Sequence, residues 1–287
     1  MPREPSSTSW PPWADVRAAT AASEGRTGTA ERAHHPSRRR SAGVPEPNAT
    51  IVGREAVGST IVRLVVRPDG GVPAFRAGQY FALGLDGSQG FVQRPYSTSS
   101  PPGDGDTLDF LVRLVADGSL TPRLWELRRG ARLRLGPPKG LFTADAAAPR
   151  RLLLIGTGTG IAPLLSILGT HLRDAAAGRP ATRPVVVHGA SFAADLAGRS
   201  RLAAWESAGR ISYVPAVSRA GDAANAGWRG ATGRLDALLP GIIASCGIEP
   251  DATLAFVCGN PSLVAAARLV LCSSDIPIDA VRTEAWS

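Results

Sequence analysis

Lysine is almost absent from this chain: of its 32 basic residues only Lys139 is not an arginine. Cysteine is scarce too, and the three present in 287 residues, Cys246, Cys258 and Cys272, stand too far apart for a C-x-x-C metal or redox motif. The four histidines, His34, His35, His171 and His188, show no ligand spacing. Neither a zinc site nor a cysteine-held iron–sulfur cluster can be argued from such a set, and no metal is expected. No uninterrupted apolar run approaches the length of about 18 residues that a membrane span needs. Residues 1–40, rich in Pro, Ser, Ala and Arg, have no apolar core of a signal peptide. A cytoplasmic protein with no membrane partner is the expectation.

What is present is a folded-protein composition, 44% hydrophobic, with a net charge of +8. That charge reads either as an Arg-biased, Ala- and Gly-rich coding composition or as a surface that steers acidic partners. Nucleic acid is a poor candidate, because Arg38–Arg40 is the one dense basic cluster and no aromatic ladder accompanies it. Residues 1–47 are low in branched apolar residues and without periodicity, and they read as a disordered tail. From residue 48 to 148, short apolar runs alternate with Gly and Pro. Strands are expected over 60–67, 80–85 and 108–115, with a short helix opening at Thr121-Pro122, and the pattern suggests a small antiparallel β-barrel. From 149 to 287 strands alternate with helices. Strands are expected over 152–155, 185–188, 211–217 and 254–257, and helices from the glycine loop to Leu172, over 199–207 and over 263–271. That alternation means a doubly wound, parallel α/β sheet. The chain is thus expected to have two domains, joined near Pro149.

The densest signal lies at the start of the second domain. The apolar run Leu152–Ile155 leads into Gly156-Thr157-Gly158-Thr159-Gly160, and Pro163 follows where a first helical turn tolerates it. Glycines at a strand–helix junction let backbone N–H groups and a helix N-terminus approach a diphosphate. The spacing differs from G-x-G-x-x-G, because Ile161 stands where the last glycine would be. A close strand–helix packing turn would need the same residues.

Four segments carry a resemblance. Arg94-Pro-Tyr-Ser97 resembles the R-x-Y-S motif of the ferredoxin–NADP reductase family of flavoproteins. Gly156–Pro163 is similar to its G-T-G-x-G-x-x-P loop, Cys258-Gly-Asn-Pro261 to its C-G-N-P segment, and Glu284-Ala-Trp286 to its acidic and aromatic end. They occur in the family's order and span about residues 50 to 287. The resemblance implies an enzyme that binds FAD and NADP(H). Arg94 would pair with the flavin diphosphate, for which a fixed guanidinium fork is suited. Tyr96 would lie along the flavin ring, with Trp286 over the opposite face, and Ser97 would hydrogen-bond N5. Arg113, Gly118, Leu120 and Thr121 resemble the second flavin segment, although Thr121 would serve equally well as a helix cap. Gly136–Phe142 is similar to the closing turn of the flavin barrel. Cys258 would stand beside the nicotinamide and Glu284 would exchange protons with water, making Ser97, Cys258 and Glu284 the catalytic group.

Gly156, Thr157, Gly158, Thr159, Gly160, Cys258, Gly259 and Asn260 would hold the coenzyme. Ser218, Arg219 and Arg234 resemble residues that hold the adenosine 2′-phosphate. Ser191 stands where a further arginine is often found, which leaves NAD conceivable. NADP is favoured because no carboxylate obviously replaces these arginines. The implied activity moves electrons between NADPH and an acidic one-electron carrier, ferredoxin or flavodoxin, and a monomer is expected. The reductase component of an oxygenase or hydroxylase system is the alternative. A noncatalytic docking module is a third reading, and it would have no need of Ser97, Cys258 and Glu284 together.

Overall fold

The computed structural model describes residues 44–87, 90–144 and 150–286. The first unit is built from β1 (Ala49–Val57), β2 (Ile61–Pro68), β3 (Tyr80–Leu85), β4 (Val92–Ser97), β5 (Leu108–Arg113), the short helix α1 (Thr121–Glu126) and β6 (Arg132–Leu135). These strands form an antiparallel sheet in the order β4-β3-β6-β1-β2-β5. A bridge between Thr98 and Phe110 brings the ends of β4 and β5 together and closes the barrel. Ile51, Leu64, Phe81, Leu83, Phe110 and Leu133 fill it. The strand expected to reach Val115 stops at Arg113, because Val115 O accepts the Gly118 N–H and turns the chain. Residues 1–43 of the expected tail, and the expected junction at Pro149, lie outside the described residues. The carbonyls of Glu46 and Pro47 are held by Arg134 and Arg132 of β6.

The second unit comprises β7 (Arg151–Thr157), α2 (Ile161–Ala176), β8 (Val185–Ala190), α3 (Arg199–Ser207), β9 (Ser212–Val217), β10 (Ala231–Thr232), α4 (Leu235–Ser245), β11 (Thr253–Gly259), α5 (Pro261–Ser273) and β12 (Val281–Ala285). All six strands are parallel, in the order β10-β9-β8-β7-β11-β12. β7 is buried on both faces, as a central parallel strand should be. Leu152 and Leu154 pack with α2 and α3, whereas Leu153 and Ile155 pack with α4 and α5. The order reverses between β7 and β11, so a crevice opens at their carboxyl ends. The α2 face also receives Ile61, Leu111 and Phe142 from the barrel side, giving the two units one shared core. Polar contacts reinforce that seam: Ser166 Oγ donates to Ser100 O at 2.7 Å and Arg173 Nη2 to Pro102 O at 2.8 Å.

Candidate active site at the seam of the two domains

A cleft of about 400 Å³ runs along the carboxyl ends of β7, β8 and β11. One wall is the glycine loop, Thr157–Gly160, and the other includes Thr60, Ile61, Arg113 and Val115 of the barrel. The glycines are required by close approach. A Cβ on Gly160 would stand 2.4 Å from the Cys258 carbonyl oxygen, and one on Gly259 would stand 2.4 Å from Thr157 Oγ1. Gly156 packs against Leu164 in the same way, and Gly158 adopts φ +54. These absent side chains let two loops share one turn's width at the switch point. Arg113 reaches from β5 toward Gly158. Asn260 lines the cleft and caps α5, its Oδ1 accepting the Leu263 N–H at 2.9 Å.

At one end of this seam the three expected catalytic residues come together. Cys258 and Glu284 are register partners on the parallel pair β11 and β12. Ser97, at the end of β4, is buried, and its Oγ has no formed hydrogen bond. It lies close enough to Glu284 to favour the ionised carboxylate, yet burial dominates and pushes the Glu284 carboxyl up to about 7. Glu284 Oε2 is likewise buried without a partner. Burial, and then the neighbouring Glu284 charge, push the Cys258 thiol well above its ordinary range, so it stays protonated. Trp286 Nε1 donates to Cys258 Sγ at 3.1 Å, and the Trp286 N–H donates to Gly259 O at 3.0 Å. The Trp286 ring meets Tyr80 edge-on at 6.5 Å. Tyr80 pairs with Ser97 across β3 and β4, and the sequence reading had not singled it out.

The remaining expected site residues divide. Arg94 is exposed on β4 with Nη1 on the Gln93 carbonyl, and Tyr96 is half-buried beside the barrel core. Burial pushes the Tyr96 phenol up to about 12. Gly118 closes the turn after β5. Leu120 is buried in the barrel, which leaves only its backbone for a ligand. Thr121 Oγ1 donates to Val115 O at 3.0 Å and accepts from Val115 N at 3.1 Å, so the hydroxyl ties down its own loop. The cap position of α1 falls on Leu120 instead.

At the other end of the cleft stand Ser191, Ser218, Gly233 and Arg234. Arg219 is not among the lining residues; its guanidinium lies 5.4 Å over the Phe192 ring. Arg234 is engaged by Asp236, with Nη2 to Oδ2 at 3.0 Å and Nε to both carboxylate oxygens at 3.2 Å. Beside Arg234 therefore stands a carboxylate that the sequence reading did not single out. It was inconspicuous there because it belongs to the first turn of α4, a helix that Pro240 and Gly241 conceal. Asn225, also unanticipated, is buried and braces this region. Its Nδ2 donates to Ser191 O and Arg219 O, and its Oδ1 accepts from the Ala193 N–H.

Comparison with known proteins agrees with this geometry. Residues 49–143 match the oxidoreductase FAD-binding domain and residues 154–269 the oxidoreductase NAD-binding domain. The chain is 35% identical over 206 residues to ferredoxin--NADP reductase B of Sorangium cellulosum (strain So ce56), covering 70% of this chain and 81% of that one. It is 28% identical over 223 residues to the reductase component of propane 2-monooxygenase from Mycolicibacterium goodii, covering 77% and 62%. Its fold is similar to that of a ferredoxin NADP+ reductase from Neisseria gonorrhoeae with bound FAD and NADP. That match has a TM-score of 0.69 at 25% identity and covers 83% of this chain and 97% of that one. An FAD-binding barrel and an NAD(P)-binding sheet meet here around one cleft, and this chain belongs to the ferredoxin–NADP reductase family of flavoprotein oxidoreductases.

Proposed function

We propose that this enzyme moves electrons between NADPH and an acidic one-electron carrier, ferredoxin or flavodoxin, by way of FAD held at the seam. The observation that carries the reading is the pair of orphaned buried polar atoms, Ser97 Oγ and Glu284 Oε2, beside the protonated Cys258. Buried polar atoms are ordinarily paired, and a ring nitrogen of bound FAD is a partner of the right chemistry for Ser97. Bound FAD would supply the conversion between hydride chemistry and single-electron release.

Ser97 orients the ring through its hydroxyl, and Arg94, Tyr96, Arg113 and the backbone of Gly118–Thr121 hold the rest of the cofactor. Arg113 also faces the coenzyme loop from the barrel. Gly156–Gly160, Gly259 and Asn260 give a dinucleotide backbone N–H groups and room to approach. Ser218, Arg219 and Arg234 serve the adenosine end. Cys258, kept neutral, fills space beside the reacting rings without acting as a nucleophile. Trp286 covers that space and must yield to a nicotinamide. Glu284, with its affinity for a proton near neutrality, holds and passes a proton between the buried site and water. The net charge of +8 suits an acidic carrier.

The relative among monooxygenase reductase components supports a second reading, in which an oxygenase system takes the electrons. Stopped-flow reduction with NADPH beside NADH, followed by reoxidation with ferredoxin, with flavodoxin or with an oxygenase partner, tests both. A yellow protein that bleaches with a nicotinamide coenzyme and passes electrons to ferredoxin or flavodoxin supports the first. Reoxidation by an oxygenase alone supports the second. A colourless protein that does not take up FAD refutes both.

A further inference from the structure

Resting on the reading that the cleft takes a nicotinamide coenzyme, one residue at its adenosine end carries a further inference. The cleft is lined by two arginines, Arg113 and Arg234, and by two aspartates, Asp195 and Asp236. Arg113 stands at the glycine loop after β7, whereas Ser218 and Gly233 follow β9 and β10, two and three strands away in the sheet, so Arg234 is the lining cation of the adenosine end. It does not stand free: Asp236 engages it through three short contacts, and Ser262 Oγ lies 3.5 Å from the same Nη2. The Asp236 side chain is the more enclosed of the two, 26% exposed against 63% for Arg234. The arginine bond holds its carboxyl below the usual carboxylate range, so the carboxylate faces Arg234 as an anion. Arg219, the second expected cation, is stacked on Phe192, and its backbone is fixed there by Asn225.

We propose that Asp236 is a specificity-determining residue: it occupies Arg234, lowers the gain from a 2′-phosphate, and offers an acceptor to the 2′-hydroxyl of a coenzyme that lacks one. A 2′-phosphate entering here meets a pair of zero net charge and a carboxylate of its own sign. A ribose hydroxyl meets the kind of acidic acceptor that dinucleotide sites use for unphosphorylated coenzyme. Specificity is a difference of affinities, and a repulsive neighbour changes it as effectively as a lost attraction. The chain is therefore a two-coenzyme enzyme, with NADPH and NADH used within about tenfold of each other.

The test compares the native holoenzyme with Asp236→Asn and Asp236→Ser. Asparagine keeps the shape, and serine keeps a short polar group in the first turn of α4. Calorimetry with adenosine 2′,5′-bisphosphate and with adenosine 5′-monophosphate reads the adenosine end without turnover. Steady-state kinetics with NADPH and NADH read the whole coenzyme. Both variants should raise the preference for the 2′-phosphorylated ligand by about tenfold, the scale for removing one like charge at a partly exposed site. An unchanged ratio in both variants overturns the proposal, including the case in which they merely melt earlier. A native preference for NADPH well beyond about tenfold overturns it as well. A native protein that neither coenzyme reduces fails in a different way: it refutes the hydride reading itself.

Discussion

Glu284→Gln isolates what burial does to the carboxyl at the seam. In the folded protein this group titrates near 7 instead of 4.5, chiefly because burial disfavours its charge. The folded state thus keeps a proton that the unfolded chain releases between those values. Where the folded state binds more protons, stability falls as pH rises. The Glu284 contribution is accordingly neutral below about pH 4.5, becomes increasingly unfavourable up to about pH 7, and is constant above. At about 1.4 kcal/mol per tenfold change in proton affinity, the full displacement amounts to roughly 3 kcal/mol. The carboxyl keeps some contact with solvent, which brings the expected effect down to about 1–2 kcal/mol. Glutamine keeps the shape and cannot ionise. Thermal denaturation should find the variant and the parent nearly equal near pH 4. At pH 8 the variant should be more stable, by roughly 2–6 °C for a chain of this size. The pH profile of turnover should lose an inflection near pH 7 in the same variant. A stability difference that does not change with pH, together with an unchanged profile, would refute the assignment of that proton to Glu284.

Ser97→Ala should slow reduction by NADPH about 10- to 100-fold while FAD remains bound, since it removes one hydroxyl from the reacting end and leaves the barrel intact; unaltered stopped-flow rates would exclude a role for Ser97. Gly160→Ala drives a Cβ to 2.4 Å from a backbone carbonyl that cannot swing away. It should destabilise the protein by about 1–3 kcal/mol and weaken coenzyme binding, measured by thermal denaturation and by titration with NADP, and wild-type values in both would contradict the close-approach argument. Asn225→Ala removes three bonds that brace Ser191, Ala193 and Arg219. It should raise KM for coenzyme several-fold with kcat little changed, and a fall in kcat at constant KM would show that Asn225 does not act through the coenzyme loops.

The sequence made the two-domain plan legible because its strong strands are strongly patterned. The helix over Arg199–Ser207 and the strand over Tyr80–Leu85 coincide with the expected ranges. Strands supported mainly from outside were not legible. β1 carries Gly53 and alternates imperfectly, and β6 is four residues long with two arginines. β12 reads as a chain end until β11 supplies its hydrogen-bonding partner. The same contrast holds at the site. Glycines and a C-G-N-P turn announce themselves, because local geometry demands those residue types. Tyr80, Asn225 and Asp236 act through neighbours distant in sequence or through a helix whose interior proline hides it. Thr121 shows a use that neither expectation named: its hydroxyl, weighed as a ligand contact or a helix cap, closes its own loop through Val115.

The chemistry of the seam depends on docking more than on either domain alone. Ser97 comes from β4 of the barrel, whereas Cys258 and Glu284 come from neighbouring strands of the sheet. Glu284 owes its raised proton affinity to burial at that junction, and Ser97 is the one group pulling it back. α2, with its Ser166 and Arg173 bonds to residues 100 and 102, holds the two halves in contact. The glycine loop that opens α2 is wedged against the Cys258 carbonyl. One helix therefore sets both the position of the glycine loop and the closeness of the barrel. A change that loosened α2 would hydrate Glu284, return its carboxyl toward the ordinary range and widen the coenzyme turn together. The protonation of Glu284 and the geometry of the glycine loop are thus linked through packing.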